Sequence, residues 1–139
     1  MLYGEYSHNL DAKGRVTVPA KFREDLGDSF YICKGTDECI FVLSEEAYKT
    51  MMEKIVALPA EKSIPLTRKF SSGTCDVEPD KQGRILIPQN LRDYAGLTKE
   101  VTIIGSVNRA EIWDCAKWKA YNDALTDEVT QEALKEVVL

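Results

Sequence analysis

The chain has 139 residues, 29% of them charged and 44% hydrophobic, with a formal net charge of −5. That length holds one domain, or two very small ones sharing a core. The acidic balance excludes a generic basic nucleic-acid coat, and no apolar run approaches the ~20 residues of a membrane span.

Met1-Leu2-Tyr3-Gly4-Glu5 lacks the basic-then-apolar layout of a signal peptide, so a cytoplasmic protein is expected. Charge is unevenly spread. Residues 11–23 carry Lys13, Arg15, Lys21 and Arg23 against Asp11 alone, whereas from Glu111 onward three lysines face seven acids. Cys33, Cys39, Cys75 and Cys115 lie in or beside apolar segments without a C-x-x-C pair, and His8 is the sole histidine. They read as reduced, mostly buried small hydrophobes, with no metal site and no cofactor expected.

In chain order, an extended stretch runs into Asp11-Ala12-Lys13-Gly14, a turn in which the aspartate bonds nearby N–H groups and glycine supplies positive φ. Arg15-Val16-Thr17-Val18 follows as a β-branched strand that could be buried on both faces. Pro19 suits the first position of a short helix, Pro19–Leu26, which Gly27 ends. Strands Phe30–Cys33 and Ile40–Leu43 come next, then Ser44 as the N-cap of a helix over Glu45–Leu58. Ala60–Pro65 reads as a connector and Leu66–Ser71 as another short helix.

The pattern then returns. Asp80-Lys81-Gln82-Gly83 is followed by Arg84-Ile85-Leu86-Ile87, a helix over Pro88–Ala95 and Gly96. Strands Glu100–Gly105 and Ala110–Trp113 follow, with Asp114 as N-cap of a helix from Cys115 that reaches toward Val138. Trp118, Tyr121, Leu125, Val129, Ala133 and Val137 form its apolar stripe, which reads as core or subunit contact. Trp113, Trp118, Tyr48 and Tyr121 are expected to pack the trailing helix of each half. Two D-x-x-G-R-type strings, each followed by the same strand, proline and glycine, are an internal repeat.

These tandem motifs, Asp11/Arg15 and Asp80/Arg84, resemble the MraZ family of the AbrB-like, swapped-hairpin group, and the resemblance spans nearly the whole chain. It implies an α+β, β-rich fold in which two AbrB-like repeats interlock into a pseudo-twofold β-barrel-like unit with flanking helices. The expected divisions are 1–58 for the first repeat, 59–73 for a connector and 74–139 for the second. The resemblance further implies a ring-shaped homo-oligomer, nucleoid-associated, that binds short direct repeats in double-stranded promoter DNA of a division and cell-wall gene cluster.

Chemistry alone leaves the Asp–Arg pairs open between turn-locking ion pairs and DNA contacts. The resemblance implies a DNA role for Arg15 and Arg84, and a structural one for Asp11, Asp80, Gly14 and Gly83. Arginine's planar fork suits phosphate and the O6/N7 edge of guanine. Lys13, Lys81, Lys21 and Arg23 are candidate phosphate contacts, although Lys21, Arg23 and Arg92 can equally be solvated helix face. No nucleophile–base pair appears, so catalysis is not expected. An antitoxin-like module and a protein-binding scaffold are the alternative functions.

Overall fold

The computed structural model describes residues 1–137. Its strands are β1 (Glu5–Asn9), β2 (Arg15–Thr17), β3 (Phe30–Lys34), β4 (Ile40–Ser44), β5 (Cys75–Val77), β6 (Arg84–Leu86), β7 (Glu100–Gly105) and β8 (Ala110–Asp114). Its helices are α1 (Ala20–Leu26), α2 (Glu45–Val56), α3 (Ala60–Ser72), α4 (Gln89–Ala95), α5 (Cys115–Ala124) and α6 (Asp127–Leu134). None is long and apolar enough to cross a membrane.

Six strands form an antiparallel sheet in the order β1-β7-β8-β4-β3-β5, and β2 and β6 form a separate two-stranded antiparallel ribbon. The halves of the chain cross: β1 pairs with β7, β5 with β3, β4 with β8 and β2 with β6. The sheet is open, with β1 and β5 as its edges, in place of the barrel-like closure that the resemblance implies.

Period-two alternation in the central strands sets the layers. Ile32, Ile40, Val42, Val101, Ile103 and Ile112 face a core shared with Val16, Val18, Phe22, Ile85, Ile87 and Leu91. This core lies between the sheet, the ribbon and the short helices α1 and α4. Cys33, Phe41, Leu43, Ile104 and Trp113 face the other way, into a second cluster with Phe70, Tyr48, Met51, Leu66 and Trp118 of α2, α3 and α5. The inner strands are therefore apolar on both faces.

Several local expectations need correction. The ribbon strands are buried on one face only, through Val16 and Ile85, because none of the described residues covers their outer side. Pro19 and Pro88 are N-cap residues with extended ψ, one position before the first helical residue. The short connector and helix after residue 59 are one helix, α3, which continues through Pro65. Proline there removes the N–H that would reach Glu61, and burial of Phe70 with packing of Leu66 offsets the loss. Helix α2 ends at Val56, short of Leu58. Ser44 caps α2 by accepting from the Ala47 N–H, but Asp114 does not cap α5: its Oδ1 accepts from Thr98 N and Oγ1 instead. The C-terminal helix breaks at Leu125, and α6 restarts after Thr126, whose hydroxyl caps it. Trp113, Trp118 and Tyr121 do cluster, with ring centroids 5.2–6.0 Å apart. Val138 lies outside the described residues.

Candidate nucleic-acid interface

Two aspartates build the ends of the ribbon. Asp11 Oδ1 accepts the backbone N–H of Lys13 (2.9 Å) and of Arg15 (2.8 Å), while Oδ2 accepts Arg15 Nε–H at 2.8 Å. The backbone closes the turn with Asp11 N–H donating to Arg15 O and Gly14 N–H donating to Asp11 O. The second motif repeats every bond: Asp80 Oδ1 accepts from Gln82 N and Arg84 N, and Oδ2 accepts from Arg84 Nε at 2.9 Å. Backbone N–H donation, above all from Arg15, holds the Asp11 carboxyl at about 2. Asp80 is lowered in the same way, chiefly by the Arg84 N–H. Both carboxylates are thus ionised anchors, each with its own arginine, and not a dyad sharing a proton.

The ribbon register places the arginines. Arg15 opposes Leu86, Val16 opposes Ile85 and Thr17 opposes Arg84. Val16 and Ile85 point into the core, so Arg15, Thr17, Arg84 and Leu86 form the outer face. The arginines stand diagonally across the ladder, roughly 7–8 Å apart at Cα. Each guanidinium is fixed through Nε to its aspartate, and the two arginine side chains are about a third exposed, 31% and 30%. Among the described residues neither terminal nitrogen pair has a hydrogen-bond partner, so each fork is oriented and unspent.

The other basic residues divide. Lys13 and Lys81 are exposed on the two turns, beside the arginines. Lys21 is also exposed and places its ammonium 3.4 Å from the centre of the Tyr3 ring. Arg23 is held more tightly than a solvated helix residue: its Nε donates to Val18 O at 3.1 Å, and its guanidinium covers Gly83. Arg92 covers Gly14 in the same manner, and among the described residues its buried Nε has no hydrogen-bond partner. The candidate set drawn from sequence omits Thr17 and Leu86, although strand alternation from Arg15 and Arg84 puts them on the same face. Among the described residues, no group of three or more His, Cys, Asp or Glu side chains is placed to hold a metal.

The profile of one family, described as "MraZ protein, putative antitoxin-like", matches residues 1–64 and 70–138, one Asp/Arg motif falling in each segment. A protein of Acetivibrio thermocellus named transcriptional regulator MraZ is 52% identical over 88% of this chain and 87% of its own. Its namesake from Finegoldia magna is 50% identical with the same coverage, and that from Halothermothrix orenii is 44% identical over 96% of this chain and 94% of its own. The chain belongs to the MraZ family. These MraZ relatives are named as regulators of transcription and not as enzymes. In this chain the ribbon carries two arginine forks that are oriented and, among the described residues, without hydrogen-bond partners at their terminal nitrogens.

Proposed function

We propose that this protein is a sequence-specific transcriptional regulator that lays its β2–β6 ribbon against double-stranded DNA. One observation carries the reading: two identically bonded Asp–Arg units on a single ribbon, both with terminal guanidinium nitrogens that have no partner among the described residues. The major groove admits a two-stranded ribbon, and an arginine fork matches the O6/N7 edge of guanine. Arg15 and Arg84 are the base-reading residues. Lys13 and Lys81 contact phosphate beside them, Lys21 and Arg23 extend that contact along α1, and Asp11, Asp80, Gly14 and Gly83 hold the turns.

The crossed strand pairing supports two interlocked AbrB-like repeats, 1–58 and 74–139, related by a pseudo-twofold axis through Val16 and Ile85, with 59–73 joining them. The chain has a net charge of −5, with 18 Lys and Arg against 23 Asp and Glu, and only a handful of its basic groups lie on or beside the ribbon, so affinity requires several copies. A homo-oligomeric ring supplies them, matching short direct repeats in the promoter of a division and cell-wall gene cluster. Val129 and Leu134 on α6, with Leu125 just before it and Val137 just after it, are 41–54% exposed and offer an apolar surface for assembly. This reading places the protein in the cytoplasm, on the nucleoid, and gives it no catalytic role.

The test is substitution of both arginines. Each bidentate contact to a base is worth roughly 1–3 kcal/mol, so Arg15→Ala with Arg84→Ala should abolish preference for the repeats. Exposed ion pairs contribute only about 0–1 kcal/mol to folding, and the double variant should keep its fold and assembly. Undiminished affinity in a folded double variant would remove these residues from the interface.

A further inference from the structure

We propose that Leu86 reads the 5-methyl group of a thymine and gives the otherwise pseudo-symmetric ribbon its direction on DNA. The inference rests on the DNA-binding reading above and adds to it a specificity-determining contact.

Leu86 is 54% exposed, and among the described residues it is the only large hydrophobic side chain exposed within a β-strand. Every other exposed one lies at a terminus, in a loop or on a helix. Its neighbours show that it is no stray surface residue. It stands directly opposite Arg15, on the face that carries Arg84 two residues before it in the same strand. Its backbone partner and its strand mates are fixed by the buried Val16–Ile85 pair, so Leu86 stands at a defined register position beside both arginines on the outer face.

The opposite half holds a different residue. Thr17 takes the equivalent place, opposite Arg84, and is half-buried. A ribbon with Arg, Thr and Arg, Thr on its outer face would present the same base-reading groups after a half-turn, its turns differing only in the phosphate-contacting pairs Ala12-Lys13 and Lys81-Gln82. Direct repeats have one orientation, so their reader needs a feature that breaks its own symmetry. The Leu86/Thr17 difference is that feature at the centre of the ribbon. In the major groove the apolar group that distinguishes one base from the rest is the thymine methyl, and an aliphatic side chain recognises it by contact alone.

Binding to a promoter fragment carrying the direct repeats tests this, with each thymine replaced in turn by deoxyuridine. That exchange deletes the methyl and leaves every hydrogen-bonding group in place. Burying one methyl corresponds to about a fourfold change in affinity, and one thymine per repeat should show it with the natural protein. Leu86→Ala should erase the dependence at that thymine while still preferring the repeats to a scrambled fragment. Because Leu86 is exposed, its thermal midpoint should be unchanged. Indifference of the natural protein to every replacement, with preference for the repeats retained, would overturn the Leu86 contact and leave the DNA reading intact. A dependence that survives in Leu86→Ala would assign the methyl contact elsewhere. Absence of any preference for the repeats would overturn both.

Discussion

Arg92 lies against Gly14 so closely that a Cβ added to the glycine would sit 2.7 Å from the arginine's Cζ. Arg23 meets Gly83 in the same way, at 2.8 Å. Each turn is therefore covered by an arginine from the other half of the chain, and Val18 N–H and Ile87 N–H bond across to Gly83 O and Gly14 O. The two motifs form one unit, not two independent turns.

Gly14→Ala and Gly83→Ala should each destabilise the fold, because both glycines have positive φ, 85° and 77°, as well as this contact. The backbone term alone is about 1–3 kcal/mol. Urea unfolding measures it. Removing the covering arginine should recover part of the loss, so Gly14→Ala should be less costly in an Arg92→Ala background than alone. A wild-type midpoint for Gly14→Ala would contradict the packing.

Ile85 and Val16 are each 1% exposed and face one another at the centre of the ribbon. Ile85→Ala should cost about 2–5 kcal/mol and Ile85→Val about 0.5–1.5 kcal/mol, read from urea midpoints. A loss below that of a surface substitution would mean that the ribbon is not seated on the core.

Acid should loosen the turns in a defined window. Asp11 has a folded pKa of about 2, and Asp80 is lowered as well. An unfolded aspartate titrates near 3.9, so their contribution is complete above about pH 4 and is lost as pH falls toward 2. The double variant Asp11→Asn, Asp80→Asn should melt below the natural protein at pH 6, and the gap should narrow toward pH 2. A gap that stays constant over that range would deny these carboxylates their role.

Burial pushes the Cys33 thiol up to about 12 and raises Cys39 as well. Both are fully buried, whereas Cys75 and Cys115 are half-buried. A thiolate reagent at neutral pH should leave Cys33 and Cys39 unmodified until the protein unfolds, as peptide mapping would show. Equal labelling of all four in the native protein would contradict the packing of the second cluster.

The repeated turn, the β-strands and most helix starts were legible because each depends on neighbours in sequence. Asp11 and Asp80 bond N–H groups two and four residues away, and Ser44 caps the helix beginning at the next residue. What could not be read depends on distant partners. Pro65 signals a break, but Phe70 and Leu66 find a buried cluster that keeps α3 whole. Asp114 has a capping residue's chemistry, and Thr98 takes its oxygen. For Arg23, a candidate phosphate contact, and for Arg92, sequence left open a solvated helix face and gave no sign of packing, because the glycines they cover belong to the opposite half. Among the residues proposed for the interface, Arg15, Arg84, Lys13 and Lys81 were suggested by the motif, while Leu86 stood out only once the ribbon had an outside.

The most direct measurement is a salt titration of binding to a fragment with spaced direct repeats, beside a scrambled fragment of equal length. A DNA-reading ribbon should bind the repeats selectively, with log affinity falling against log salt by about 0.9 for each phosphate contacted. Equal weak binding to both fragments, or none at any salt, would contradict it and leave a protein-binding role as the reading to pursue.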